Sequence, residues 1–102
     1  MKLVDDLNTT IVDPAPPQIR DFILALSRDD AFAILELDEQ VYMQLSGTVD
    51  DGFILEYREG SEDKHFGVYD PSLNADEAIT AFCEFAQSKD GYKARYVWQK
   101  TF

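Results

Sequence analysis

The side chains that could do chemistry in this chain are one histidine, His65, one cysteine, Cys83, and a large number of carboxylates. A zinc site needs a cluster of histidine and cysteine ligands, and two isolated residues cannot supply one. No serine stands in a G-x-S-x-G turn, and the chain has neither a G-x-x-x-x-G-K-[ST] loop nor a G-x-G-x-x-G loop. The sequence therefore predicts no catalytic residue, no metal site and no cofactor.

The carboxylates are the remaining candidates, because 20 acidic and 9 basic residues give the chain a net charge of −11. Acid catalysis by a carboxyl group requires an apolar pocket that raises its pKa, and a calcium loop would have the form D-x-D-x-D-G with a closing glutamate. Neither pattern is present. The acids instead fall in loops at two ends of a predicted sheet. One end has Asp29, Asp30, Asp50, Asp51 and Asp70, and the other has Asp38, Glu39, Glu59, Glu62 and Asp63.

A charge of this sign limits the partners of the protein. It repels nucleic acids and anionic membranes, and it attracts basic proteins. We therefore expect a protein partner, with no nucleic acid and no membrane among the ligands. The alternative is that the acids only keep the loops solvated.

Hydrophobic periodicity defines the elements that position these residues. Residues 14–17 start a helix that ends near residues 27–30, and Asn74 with Glu77 caps a second helix over residues 75–88. Four segments between them alternate or are apolar, and they are too close together for crossover helices, so they are antiparallel neighbours. They span residues 31–38, 40–46, 52–59 and 64–70, with a further edge strand within 8–13 and an extended or irregular tail at 92–102.

This order of elements predicts a single domain over residues 1–102. Its class is α+β, with two layers: an antiparallel meander of four or five strands, and two helices packed on one face. The other face of the sheet is open, or the terminal segments cover it. In the predicted register Leu45 opposes Phe53 and Tyr57 opposes Phe66. The side chains assigned to the open face are Tyr42, Gln44, Ile54, Glu56, Arg58, His65, Gly67 and Tyr69.

Tyrosine and arginine side chains around an isoleucine are typical of protein interfaces. We therefore predict a partner-binding surface on the open face and the adjoining acidic turn. Its candidate residues are Tyr42, Asp50, Asp51, Ile54, Glu56, Arg58 and Tyr69. Two alternatives remain: a merely solvated face, as antiparallel sheets commonly have, and a homodimeric interaction protein in which two open faces pair.

The compartment is predicted from the amino terminus and from the cysteine. The start, MKLVDDLNTT, lacks the features of a secretory signal, and no apolar run approaches the roughly 18 to 20 residues that span a bilayer. Cys83 falls in an apolar helical pattern, which is typical of a buried thiol in a reducing compartment. We therefore expect a cytoplasmic protein.

Seven segments between Pro16 and Trp98 follow one another in a familiar order, namely PPQIRDFILALS, FAILEL, VYMQLSG, FILEYREG, HFGVYD, ADEAITAFCEFAQ and YVW. Together they resemble the first-numbered type of immunity protein from bacterial polymorphic toxin systems, and the small acidic bacterial proteins with the same layout. The resemblance implies an α+β domain that binds and neutralises a toxin, often a nuclease or a deaminase. Gly47, Glu56, Tyr57 and Trp98 match the pattern, and Tyr57 and Trp98 are expected in the core. The family's turn is commonly glycine-rich, whereas here it reads SGTVDDG.

Overall fold

The computed structural model describes residues 1–27 and 30–101, without the side chains of residues 70 and 71. Its elements are β1 (Lys2–Asp5), β2 (Thr10–Val12), α1 (Pro16–Leu24), β3 (Phe32–Asp38), β4 (Val41–Thr48), β5 (Gly52–Glu59), a 3₁₀ turn (Glu62–Lys64), β6 (His65–Leu73), α2 (Ala75–Ala86), α3 (Gly91–Arg95) and β7 (Gln99–Lys100). The seven strands in this part of the chain form one antiparallel sheet in the order β2-β1-β3-β4-β5-β6-β7.

The two-layer α+β class is confirmed. Helices α1 and α2 contact each other and share one hydrophobic core with a single face of the sheet. Burial of each large side chain in this core stabilises the fold by roughly 1.5–3 kcal/mol. The core residues with no exposed surface include Ile19 and Ile23 of α1, Phe82 of α2, and Leu35, Met43, Leu45, Phe53 and Leu55 of the central strands.

The predicted number of strands, four or five, is too small, because strands form near both termini. β1 lies between β2 and β3 and buries Leu3 opposite Leu35. Its four residues are too few to show an alternating pattern, and β7 has only two residues. β2 is the edge strand predicted within residues 8–13. Both described terminal segments thus widen the sheet at its edges.

Helix α2 begins as predicted. The Glu77 backbone N–H donates to Asn74 Oδ1 at 2.9 Å, and the Asn74 N–H donates to Glu77 Oε1 at 3.2 Å. The helix ends at Ala86, and α1 ends at Leu24, so both are shorter than predicted. No helix in the described residues is long and apolar enough to cross a membrane.

Helix α3 replaces part of the tail that was predicted to be extended or irregular. Tertiary packing accounts for the difference, because Tyr92 is buried and its carbonyl accepts a hydrogen bond from Trp98 Nε1 at 3.1 Å. The rings of Tyr57 and Trp98 meet edge to face with their centroids 4.6 Å apart. The expected core position of Tyr57 is confirmed, and Trp98, half-buried, packs against the core.

The predicted register is right for one hairpin and wrong for the other. Tyr57 opposes Phe66, as predicted. Leu45, however, opposes Leu55, and Phe53 opposes Gly47, so β4 and β5 are displaced by two residues from the prediction. The loop is centred on Asp50, whereas the predicted register centres it on Val49. It consists of residues 49–51, and Gly47 and Gly52 flank it with φ angles of 119° and 87°. A displacement of two leaves each side chain on its predicted face.

Candidate functional site

The sheet face opposite the helices, here called the open face, divides into two regions. The first is a polar network of Gln40, Tyr42, Glu56, Arg58 and His65, at the end of the sheet where β4 begins and β5 ends. The second is a groove at the other end, beside the turn between β4 and β5. β5 contributes to both regions, because Glu56 and Arg58 follow Ile54 along the same face.

His65 is the centre of the network. Arg58 Nε donates to His65 Nδ1 at 3.1 Å, and His65 Nε2 lies 2.6 Å from Glu56 Oε2. Because a guanidinium group can only donate, Nδ1 must be the acceptor, and the proton on Nε2 is donated to Glu56. The histidine is only 4% exposed. Both of its ring nitrogens are therefore engaged inside the protein.

The rest of the network holds Arg58 in place. Its Nη1 donates to Gln40 Oε1 at 2.9 Å, and its Cζ lies 5.4 Å from the centre of the Tyr42 ring. The pKa of Tyr42 is raised by burial, which outweighs the lowering by Arg58, and Glu56 raises it further. The side chains of the network thus supply one another with hydrogen-bond partners.

The groove is a cavity of about 530 Å³ at the other end of the open face. Face residues of β3, β4 and β5 form its base, and the loops at the end of the sheet form its rim. Its described lining residues are Asp30, Ala31, Phe32, Gln44, Ser46, Gly47, Asp51, Gly52, Ile54, Tyr69 and Ser72.

Two glycines allow close contacts at the groove. A side chain at Gly47 would collide with the carbonyl oxygen of Gly52, so the two backbones meet here without side chains between them. Gly67 has a similar effect beside the groove, because a methyl group there would collide with the ring of Tyr69. The Tyr69 ring therefore lies across Gly67. Burial and the charge of Glu56 raise the pKa of the Tyr69 hydroxyl, and a hydrogen bond with Thr101 lowers it.

The groove differs from the network in its charge and in its hydrogen bonds. Asp30 and Asp51 are exposed on its rim, and no lysine or arginine lines it within the described residues. The side chains of Gln44 and Ser46 make no hydrogen bond to any other described residue. The groove therefore offers negative charge, aromatic surface and unused polar groups to a ligand.

The structure separates the predicted site residues into two sets. Tyr42, Glu56 and Arg58 belong to the network. Asp51, Ile54 and Tyr69 line the groove, and Asp50 is exposed in the turn beside it.

The sequence-based prediction missed Phe32, Ser46 and Ser72 as lining residues. Phe32 could have been assigned by alternation, since it lies two residues before Ile34 and four before Glu36 on the same face of β3. The predicted open face nevertheless included no residue of the segment 31–38. Ser72 lies within an irregularity in the pairing of β5 with β6, between Val68 and Leu73, and no sequence signal marks it.

The two acidic ends of the sheet are also unequal. Asp30, Asp50 and Asp51 lie at the groove end, whereas Asp29 lies outside the described residues, as does the side chain of Asp70. At the other end Glu59 pairs with Lys93, and a hydrogen bond from Ser61 lowers the pKa of Asp63. No group of three or more histidine, cysteine, aspartate or glutamate side chains in the described chain is placed to hold a metal ion.

Comparisons with known proteins give no match: no protein-family model fits the chain, and neither a curated protein nor a solved structure is significantly similar to it.

Proposed function

We propose that this protein is a non-enzymatic inhibitor, an immunity protein that neutralises a basic toxin of the nuclease or deaminase type. The observation that carries the proposal is the placement of exposed carboxylates, on Asp30, Asp50 and Asp51, around a groove with an aromatic and apolar lining. Enzymes that act on nucleic acids are basic around their substrate channel. An acidic surface competes there with the nucleic acid.

Charge and apolar contact have different parts in this function. The net charge of −11 attracts a basic partner over a distance, which raises the association rate and makes it depend on salt. Aromatic and aliphatic side chains that lose water at the contact give most of the affinity in protein interfaces. Phe32, Ile54 and Tyr69 would supply that contact from within the acidic rim.

The engagement of His65 supports a role without catalysis. A histidine that acts as a general base must present a ring nitrogen to its substrate. Both nitrogens of this ring already make hydrogen bonds, to Arg58 and Glu56. The ring is also buried. In this proposal the histidine stabilises the open face and takes no part in chemistry.

The proposed place of action is the cytoplasm, where such a toxin would act. The single cysteine has no reactive part in this proposal. Burial raises the pKa of the Cys83 thiol, and the neighbouring Glu84 raises it further. A thiol that stays protonated is a poor nucleophile, as expected for a structural residue.

Co-expression with the toxic product of a neighbouring gene tests the proposal. The wild-type chain should restore growth of the host cells. The substitution Asp50→Lys should abolish the rescue, because it reverses a charge beside the groove. The matched control is Glu62→Lys, which makes the same change at the opposite end of the sheet and should leave the rescue intact. Circular dichroism should show both variants folded.

Three results would contradict the proposal: a neighbouring product that is harmless, a rescue that survives Asp50→Lys, or a rescue that Glu62→Lys abolishes equally. The last would mean that net charge, and not the groove end, is what the partner recognises. Association rates measured at two salt concentrations give an independent check, since rates should fall steeply as salt increases.

A further inference from the structure

From the geometry we infer that the groove holds an arginine side chain of the partner protein. The guanidinium group would lie against the ring of Tyr69 with the carboxylate of Asp51 to one side, and its aliphatic stem would lie against Ile54. This inference rests on the proposed function and names the chemical group that the groove recognises.

The size of the groove suits such a group. Its volume of about 530 Å³ falls within the range of roughly 300–1,000 Å³ that proteins use to enclose small ligands. A long side chain and part of the backbone that carries it can therefore enter. An anion is disfavoured because both charged groups in the described lining are carboxylates.

The hydrogen-bonding groups favour arginine over lysine. A guanidinium group has five donors in a planar fork and stacks on aromatic rings, whereas an ammonium group is a compact point charge. The groove offers acceptors in several directions, since the Gln44 amide oxygen and the Ser46 hydroxyl have no partner among the described residues. The carboxylate of Asp51 adds charge to one side of the same space.

The polar network contains a precedent for this arrangement within the same sheet face. There the chain's own Arg58 lies over the ring of Tyr42 and donates to the amide oxygen of Gln40. The groove has a tyrosine ring and an amide side chain of the same kind, in Tyr69 and Gln44, but no described residue of the chain fills the place of the arginine. We assign that place to the partner.

The test uses the isolated protein and three small probes, which are the N-acetyl N-methylamide derivatives of arginine, lysine and citrulline. Titrations are followed by amide chemical shifts. The arginine probe should cause saturable shifts at Gln44, Ser46, Ile54 and Tyr69, with weaker binding of the lysine probe. The citrulline probe has the same shape without the charge and should cause no shifts.

Two variants in one loop sharpen the test. Asp51→Asn removes a charge from the lining and should weaken binding of the arginine probe by about threefold or more. Asp50→Asn removes the same charge one residue away, outside the described lining, and should have a smaller effect. Both positions are exposed, so neither change should unfold the protein.

The inference is overturned if citrulline binds as well as arginine, if the shifts lie outside the groove, or if the arginine probe causes none. Equal weakening by both variants would also overturn it, because a general negative field would then explain the binding. The probe titrations need no toxin, so the two proposals can fail separately. If the arginine probe does not bind but growth is rescued, only the inference about arginine is wrong. If the probe binds but growth is not rescued, only the proposed toxin-neutralising function is wrong.

Discussion

The polar network and the groove occupy two ends of one sheet face and are built from similar residues, yet they differ in how their polar groups are used. In the network Arg58, His65 and Glu56 form a chain of hydrogen bonds that closes inside the protein. In the groove the amide of Gln44 has no partner in the described chain, and the acids on the rim face solvent. Charged and aromatic residues on a sheet face are therefore not in themselves a binding site.

This difference has a general physical reason. A polar group that is already paired must break its bonds before it can bind a partner, and little free energy is gained from the exchange. A group that is exposed or unpaired gives the full benefit of a new contact. We therefore expect the network to stabilise the fold and the groove to bind.

The largest expected loss of stability is that caused by the substitution His65→Ala. It removes a buried ring and leaves Arg58 and Glu56 without their shared partner, so the free energy of unfolding should fall by about 3 kcal/mol. Gln44→Ala, on the same face in the groove, should change it by less than about 0.5 kcal/mol. Urea denaturation measures both, and equal losses would show that the two regions do not differ.

The next effect is a loss of stability at alkaline pH. The pKa values of all five tyrosines are raised in the folded protein, most of all that of Tyr92, chiefly by burial and then by the charge of Glu59. In the unfolded chain they titrate near pH 10. Above that pH the unfolded state binds fewer protons than the folded state, so stability falls by up to about 1.4 kcal/mol per pH unit for each tyrosine.

Two variants compare how much Tyr92 and Tyr69 contribute to the loss of stability at alkaline pH. Tyr92 is 4% exposed, whereas Tyr69 beside the groove is 36% exposed. Tyr92→Phe should therefore flatten the fall in stability above pH 10 more than Tyr69→Phe does, as followed by urea denaturation at a series of pH values. Stability that is constant up to pH 12, or a larger effect from Tyr69→Phe, would contradict this prediction.

A smaller effect on stability is expected for Gly67→Ala. The added methyl group meets the ring of Tyr69, which can move because it is the far end of a side chain. We expect a cost of about 1 kcal/mol or less, together with several-fold weaker binding of the arginine probe, because Tyr69 is displaced from the groove. Unchanged binding, or a stability loss as large as that of His65→Ala, would show that Tyr69 does not shape the groove.

Much of the fold followed from local sequence signals. The cap formed by Asn74 and Glu77 fixed the start of α2 because it depends only on residues three apart. Alternation placed Tyr42, Ile54, Glu56 and Arg58 on the correct face, since parity survives a shift of two residues. The short strands β1 and β7 gave no such signal, because their pairing depends on contacts with distant residues.

The division of the open face into two regions could not be predicted. It depends on which residues stand opposite each other. The predicted register, with Leu45 opposite Phe53, puts Tyr42 opposite Glu56, whereas Tyr42 stands opposite Arg58. The true register brings the Tyr42 ring beneath the guanidinium group. The prediction already placed Asp50 and Asp51 in the site. The pairing of Glu59 with Lys93 at the other end could not be predicted, because it joins residues far apart in the sequence.

The most direct test of the central claim is the footprint of a neutralised toxin on this protein, read from amide chemical shifts and hydrogen exchange in the complex. The perturbed amides should centre on Gln44, Asp51, Ile54 and Tyr69, and those of Gln40 and His65 should be little affected. A footprint centred on the network around His65, or on helices α1 and α2, would contradict it.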